Sequence, residues 1–124
     1  MATASVVANA STGDGSIRTA TWTLTTADPT GDAVQMPEWA DRTWTVSGTF
    51  GGATCSIEGA NTNTDALFTT LSNAAGAAAL TFAALGTKTA IELPMNSRPK
   101  LTTVGAGATL TVVLVMRRAN SMRQ

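Results

Sequence analysis

From residue 21 onward, apolar and polar side chains alternate in short runs, the period-two signature of strands that bury one face. In the first run Trp22 and Leu24 point one way, and Thr21, Thr23 and Thr25 the other. The strongest pattern spans 43–59, TWTVSGTFGGATCSIEG, where two alternating runs flank Gly51-Gly52. Glycine supplies the positive φ angles that a two-residue type I′ or II′ turn requires. The pattern therefore predicts a β-hairpin that pairs Phe50 with Ala53, Gly48 with Cys55, Val46 with Ile57 and Trp44 with Gly59. Its other face would set Thr43, Thr45, Ser47 and Thr49 against Thr54, Ser56 and Glu58. A slip of one residue would exchange the two faces, so turn and pattern specify the same register.

Asp28-Pro29 and Gly31-Asp32 end the first run and open a loop over 27–41, which holds Trp39 and is long enough to cross from one sheet to another. Asn and Asp residues make 60–65 a turn, and 66–71 fits either a short strand or a helical turn. Leu80 and Phe82 alternate with Thr81. Thr89, Ile91 and Leu93 alternate with Lys88, Ala90 and Glu92 until Pro94 stops the run. A further strand covers 98–104, and Gly105-Ala106-Gly107 is a further turn. The longest run, 108–117, sets Leu110, Val112, Leu114 and Met116 against Thr109, Thr111, Val113, Val115 and Arg117. Its second face begins polar and turns apolar, so Val113 and Val115 require cover from another segment of chain or from another subunit. Seven or eight such strands describe an all-β antiparallel β-sandwich of jelly-roll or Greek-key type over 20–118. A flexible N-terminal arm, 1–19, precedes it and a short C-terminal tail, 119–124, follows.

Composition narrows the function. Eight basic and eight acidic residues cancel, so no long-range field draws in nucleic acid or an anionic membrane, and a common guard against self-association is missing. The most apolar tract, 74–85, is alanine-rich and shorter than the roughly 20 residues a spanning helix needs. The first fifteen residues lack the basic segment and apolar core of a secretory signal, and synthesis in the cytoplasm is expected. With a single cysteine there is no internal disulfide framework, and Cys55 reads as a small buried hydrophobe.

Histidine is absent, which removes the commonest general base and metal ligand. The carboxylates are scattered through turn-like segments, and 61–65 lacks the glycine and the bidentate Glu of a calcium loop. No catalytic, cofactor or metal site is expected. Trp22 and Trp44 lie on apolar strand faces as core residues, leaving Trp39 as a candidate contact residue. Arg117, Arg118 and Arg123 are too few for a nucleic-acid site and suit an anchor on an acidic neighbour.

The run TWTVSGTFGGATCSIEGANTN, then LTF, then IELPMNSRPKLTTVGAGATLTVVLVMRR resembles the head decoration or cement proteins of tailed bacteriophages over about 40–118. The resemblance is carried by Gly51-Gly52, Ile57-Glu58-Gly59, Arg98-Pro99-Lys100 and Arg117-Arg118. It implies a jelly-roll protein on the outer surface of the capsid. The implied partners are the major capsid protein and the chain itself, as homodimer or homotrimer. It implies no catalytic residue and no cofactor. Two other readings stay open: a tail or fibre sandwich binding host-surface carbohydrate through Trp39, and a small enzyme with a carboxylate pair.

Overall fold

The computed structural model of the chain describes residues 3, 5–8, 17–35, 39–103 and 107–118. Its strands are β1 (Ser5–Ala8), β2 (Ile17–Thr25), β3 (Val34–Gln35), β4 (Trp39–Thr49), β5 (Thr54–Ala60), β6 (Thr69–Thr70), β7 (Thr81–Phe82), β8 (Gly86–Thr89), β9 (Asn96–Thr103) and β10 (Thr109–Arg118). Two antiparallel sheets pack face to face. One has the order β1-β2-β10-β4-β8, and the other β3-β9-β5-β6, with β7 on the same edge of β5 as β6. Pairing is nested: β2 with β10, β3 with β9, β4 with β8 and β5 with β7. Each pair is one rung of a long hairpin rolled around the core, and the roll closes through β10–β4 and β9–β5. This connectivity is a jelly roll.

In the first sheet the even-numbered positions point inward. Trp22, Leu24, Trp44, Val46, Leu110, Val112 and Met116 are wholly buried there. Trp22 registers with Val112 and Trp44 with Leu114, so the two rings reach over β10 and stack at 5.5 Å. Such a pair is worth about 0.5–1.5 kcal/mol beyond its burial. Trp22 Nε1 donates to the Asp32 carbonyl at 2.8 Å, which pins the β2–β3 crossing to the core. Cys55, Ile57, Phe82 and Leu101 close the core from the second sheet.

The predicted hairpin over 43–59 is the main correction. Its turn forms as expected: Gly51 and Gly52 have φ of 57° and 81°, and the Ala53 N–H donates to the Phe50 carbonyl at 2.8 Å. Beyond it, however, β4 and β5 lie in opposite sheets and share no ladder. Gly48, at φ 115°, bends β4 against β10, where a Cβ would lie 2.4 Å from the Thr109 carbonyl oxygen. Trp44, Val46, Cys55 and Ile57 are buried all the same. Strands that face each other across a sandwich bury the same residues as strands that pair, so alternation cannot separate the two arrangements. The better-matched partners β10 and β8 for β4, and β9 and β7 for β5, decide it.

Three further expectations change. Residues 5–8 and 17–19, assigned to the arm, are strand, with β1 pairing along β2 from Ser5↔Thr21 to Ala8↔Arg18. Trp39, assigned to a loop, opens β4. The alternating run 88–93 was expected to be strand up to Pro94, yet β8 ends at Thr89, Ala90 is buried, and Ile91 and Leu93 stand exposed. The segment 66–71 is both of the forms expected, a 3₁₀ turn at Asp65–Leu67 followed by β6. The tail 119–124 lies outside the described residues.

Candidate functional site

Three surface features emerge from the way the strands are held. The first is the outer face of the first sheet. Odd-numbered positions of β2 (17–25), β4 (43–49), β8 (87 and 89) and β10 (109–117) share it by register. Of these sixteen positions eleven are Thr and one is Ser; none is a carboxylate, and Arg117 is the single charge. Thr45 and Thr87 bond to each other through their hydroxyls at 2.9 Å. Val113 sits between Thr21 and Thr45, and Val115 between Thr19 and Thr43. Val115 is 38% exposed and Val113 half-buried, so no described segment of the chain supplies full cover.

The second feature is an apolar rim at one end of the sandwich. Leu67, Ile91, Leu93 and Met95 are between 39 and 57% exposed, and Leu67 and Leu93 flank a hollow of about 420 Å³ that Leu71, Glu92 and Pro94 also line. Backbone bonding holds 91–95 in place. The Ile91 N–H donates to the Ser72 carbonyl (2.9 Å) and the Met95 N–H to Asn61 Oδ1 (3.1 Å), while Arg42 Nη1 donates to the Pro94 carbonyl (2.9 Å). With the main chain tied to its neighbours, the side chains at 91, 93 and 95 are left facing solvent. The Ser72 N–H donates to Glu92 Oε1 at 2.7 Å and holds that carboxyl below its ordinary pKa.

The third is an ion cluster on the outer face of the second sheet, in which Arg98 and Glu58 are buried and Asp65 is exposed. Arg98 Nε donates to Glu58 Oε1 at 3.0 Å, Arg98 Nη1 bonds Asp65 Oδ1, and the guanidinium lies 4.0 Å from the Phe68 ring centre. The Arg98 bond and charge lower the Asp65 pKa. The cluster ties Asp65 to Arg98 beside Glu58 of β5, and Ser56 and Glu58, expected on the polar face, are both buried. Arg42 does a similar service inside the sandwich, where its Nη1 also donates to Ser97 Oγ at 2.8 Å and ties β4 to β9; burial lowers its pKa. These are structural roles.

Among the residues singled out from sequence, the structure brings Val113, Val115 and Arg117 onto one face. Arg118 registers with Trp39 at the end of the same strand pair, and the side chains of both lie outside the described residues. Sequence reasoning missed the rim. Its signal was present in Ile-Glu-Leu-Pro-Met, an alternating run with a proline at its end and no strand of matching length to pair with. Cys55 is buried as expected, and burial pushes its thiol up to about 12. Among the described residues, no three His, Cys, Asp or Glu side chains converge as a metal site.

No protein-family model matches the chain, and no curated protein matches it. Among solved structures it is similar to the crystal structure of the SPBc2 prophage-derived protein YomS, at 12% identity and a TM-score of 0.50, over 78% of this chain and 94% of that one. At that identity the likeness concerns the fold.

Proposed function

We propose that the chain is a non-enzymatic virion protein of a tailed bacteriophage, a head decoration or cement protein that binds the outer surface of the expanded capsid and bridges major capsid subunits. The observation that carries this reading is the exposed rim of Leu67, Ile91, Leu93 and Met95, held in place by hydrogen bonds to its own main chain, with Leu67 and Leu93 flanking a hollow. Large apolar side chains kept in water by the fold mark a surface that gains from burial against a partner. Jelly rolls serve in viral capsids and elsewhere, so the fold alone does not choose a function. Support for a phage origin comes from the similarity to a prophage-derived protein and from the decoration-protein resemblance of 40–118. Many copies on a symmetric shell multiply a modest contact into substantial stabilisation. Since the chain is formally neutral, the contact should depend only weakly on salt.

The test is co-sedimentation of the purified chain with undecorated precursor shells and with expanded shells. Saturable binding to expanded shells alone is expected, and Leu93→Asp, a change at an exposed position, should abolish it while leaving the far-UV dichroism unchanged. Binding to neither shell, or undiminished binding by Leu93→Asp, would overturn the proposal.

A further inference from the structure

We infer that the outer face of the first sheet is the contact surface of a homodimer, two copies meeting face to face about a two-fold axis close to Val113. The inference stands apart from the capsid reading, since it concerns a different face of the sandwich and needs no shell.

Size supports a second copy as the occupant. The five strands of this sheet, β1, β2, β10, β4 and β8, hold 38 residues, and at a strand spacing of about 4.8 Å and a rise of about 3.3 Å per residue they give roughly 600 Å² of flat sheet per copy. Doubled, that is about 1,200 Å², which clears the ~1,000 Å² expected of a specific interface. The lattice of hydroxyls is also self-complementary. Each threonine both donates and accepts a hydrogen bond, so a threonine face laid on its own copy can satisfy both partners, as Thr45 and Thr87 do within one sheet. Val113 and Val115 would then gain the cover that no described segment gives them.

Charge fits the same arrangement. Among the sixteen positions counted on the face Arg117 is the only charged residue, and it stands at the end of β10. A two-fold axis through the middle of β10 places the two copies of Arg117 at opposite ends of the contact, on its wet rim, with no charge at the centre. Sheets stack about 10 Å apart with their strands near 30° to each other, so the twist of each sheet is accommodated. A face that binds its own copy closes at two chains. This excludes the trimer through this surface.

Sedimentation equilibrium of the full chain across a concentration series tests this. The expected mass is twice 12.6 kDa, and Val113→Glu and Val113→Lys should each sediment as single chains with native far-UV dichroism. Mixed in equal amounts, the two variants should recover the two-chain mass, because opposite charges then meet at the axis. Should substitution at Val113 unfold the protein, Thr111→Glu on the same face is expected to give folded single chains. Leu93→Asp, on the apolar rim, should keep the two-chain mass. A one-chain or three-chain mass for the unaltered protein would overturn the inference. So would a two-chain mass for folded Val113→Glu or Thr111→Glu, or failure of the mixture to recombine.

Discussion

Two glycines in one short stretch are required for different reasons. Gly52 has φ of 81° with open space where a Cβ would stand, whereas Gly48 has φ of 115° and the Thr109 carbonyl in that space. Gly52→Ala should therefore lose only the left-handed conformational preference, about 1 kcal/mol. Gly48→Ala adds a collision with main chain that has no rotamer to escape into, and should lose at least about 2 kcal/mol. Urea midpoints of the two variants measure the difference. Equal losses would mean that β4 does not approach β10 closely at Gly48. At Cys55, burial both raises the thiol pKa to about 12 and blocks access. A thiolate is the reactive form, so a disulfide reagent at pH 8 should leave the native chain unlabelled over the time in which the urea-unfolded chain takes up one equivalent.

At the scale of the element, the informative case is the stretch around Gly51-Gly52. The turn and the buried faces of β4 and β5 were both legible, because local alternation and glycine chemistry specify them. Partner choice was not, because it depends on β8 and β10, which follow more than thirty residues later. Thr45 and Thr87, registered partners on β4 and β8, provide a direct check. A Thr45→Cys, Thr87→Cys variant should close a disulfide under mild oxidation, since registered strand residues lie within its Cα range. The 42-residue separation predicts about 4 kcal/mol of stabilisation from loop closure. A hairpin of β4 with β5 would leave position 87 unpaired with 45, and no bond would form. The exposure of Ile91 and Leu93 teaches a related lesson. An alternating run is a strand only where a neighbour accepts its hydrogen bonds, and past Thr89 the chain instead bonds Arg42 and Ser72 as a loop.

Across the whole molecule, electrostatics is local. The Asp65 pKa lies below its unfolded value because Arg98 bonds and attracts the carboxylate. A carboxyl depressed in the folded state contributes stability that is present above its unfolded pKa, about 3.9, and is lost as pH falls through the lower folded value. The unaltered chain should thus lose stability more steeply below about pH 4 than Asp65→Asn, with the two converging once the carboxyl is protonated in both states. Urea titrations at successive pH values test this, and parallel curves would mean that the ion pair of Asp65 with Arg98 adds nothing to stability. The apolar rim and the threonine face lie on different parts of the sandwich. Binding to a shell and self-association are accordingly separable, and Leu93→Asp and Val113→Glu should each remove one of them.

Local sequence by itself determined the all-β class, the inward set of Trp22, Trp44, Leu110, Val112 and Leu114, the Gly51-Gly52 turn and the unusual second face of the last strand. These follow from period-two burial and from backbone geometry that acts over a few residues. Only the tertiary structure decided that β4 and β5 face rather than pair, that β1 belongs to the first sheet, that Arg98 draws Glu58 and Asp65 together across forty residues of chain, and that 91–95 presents its apolar side chains to solvent. Each of these turns on a partner distant in sequence, and period-two alternation records which side of a strand is buried but not what buries it.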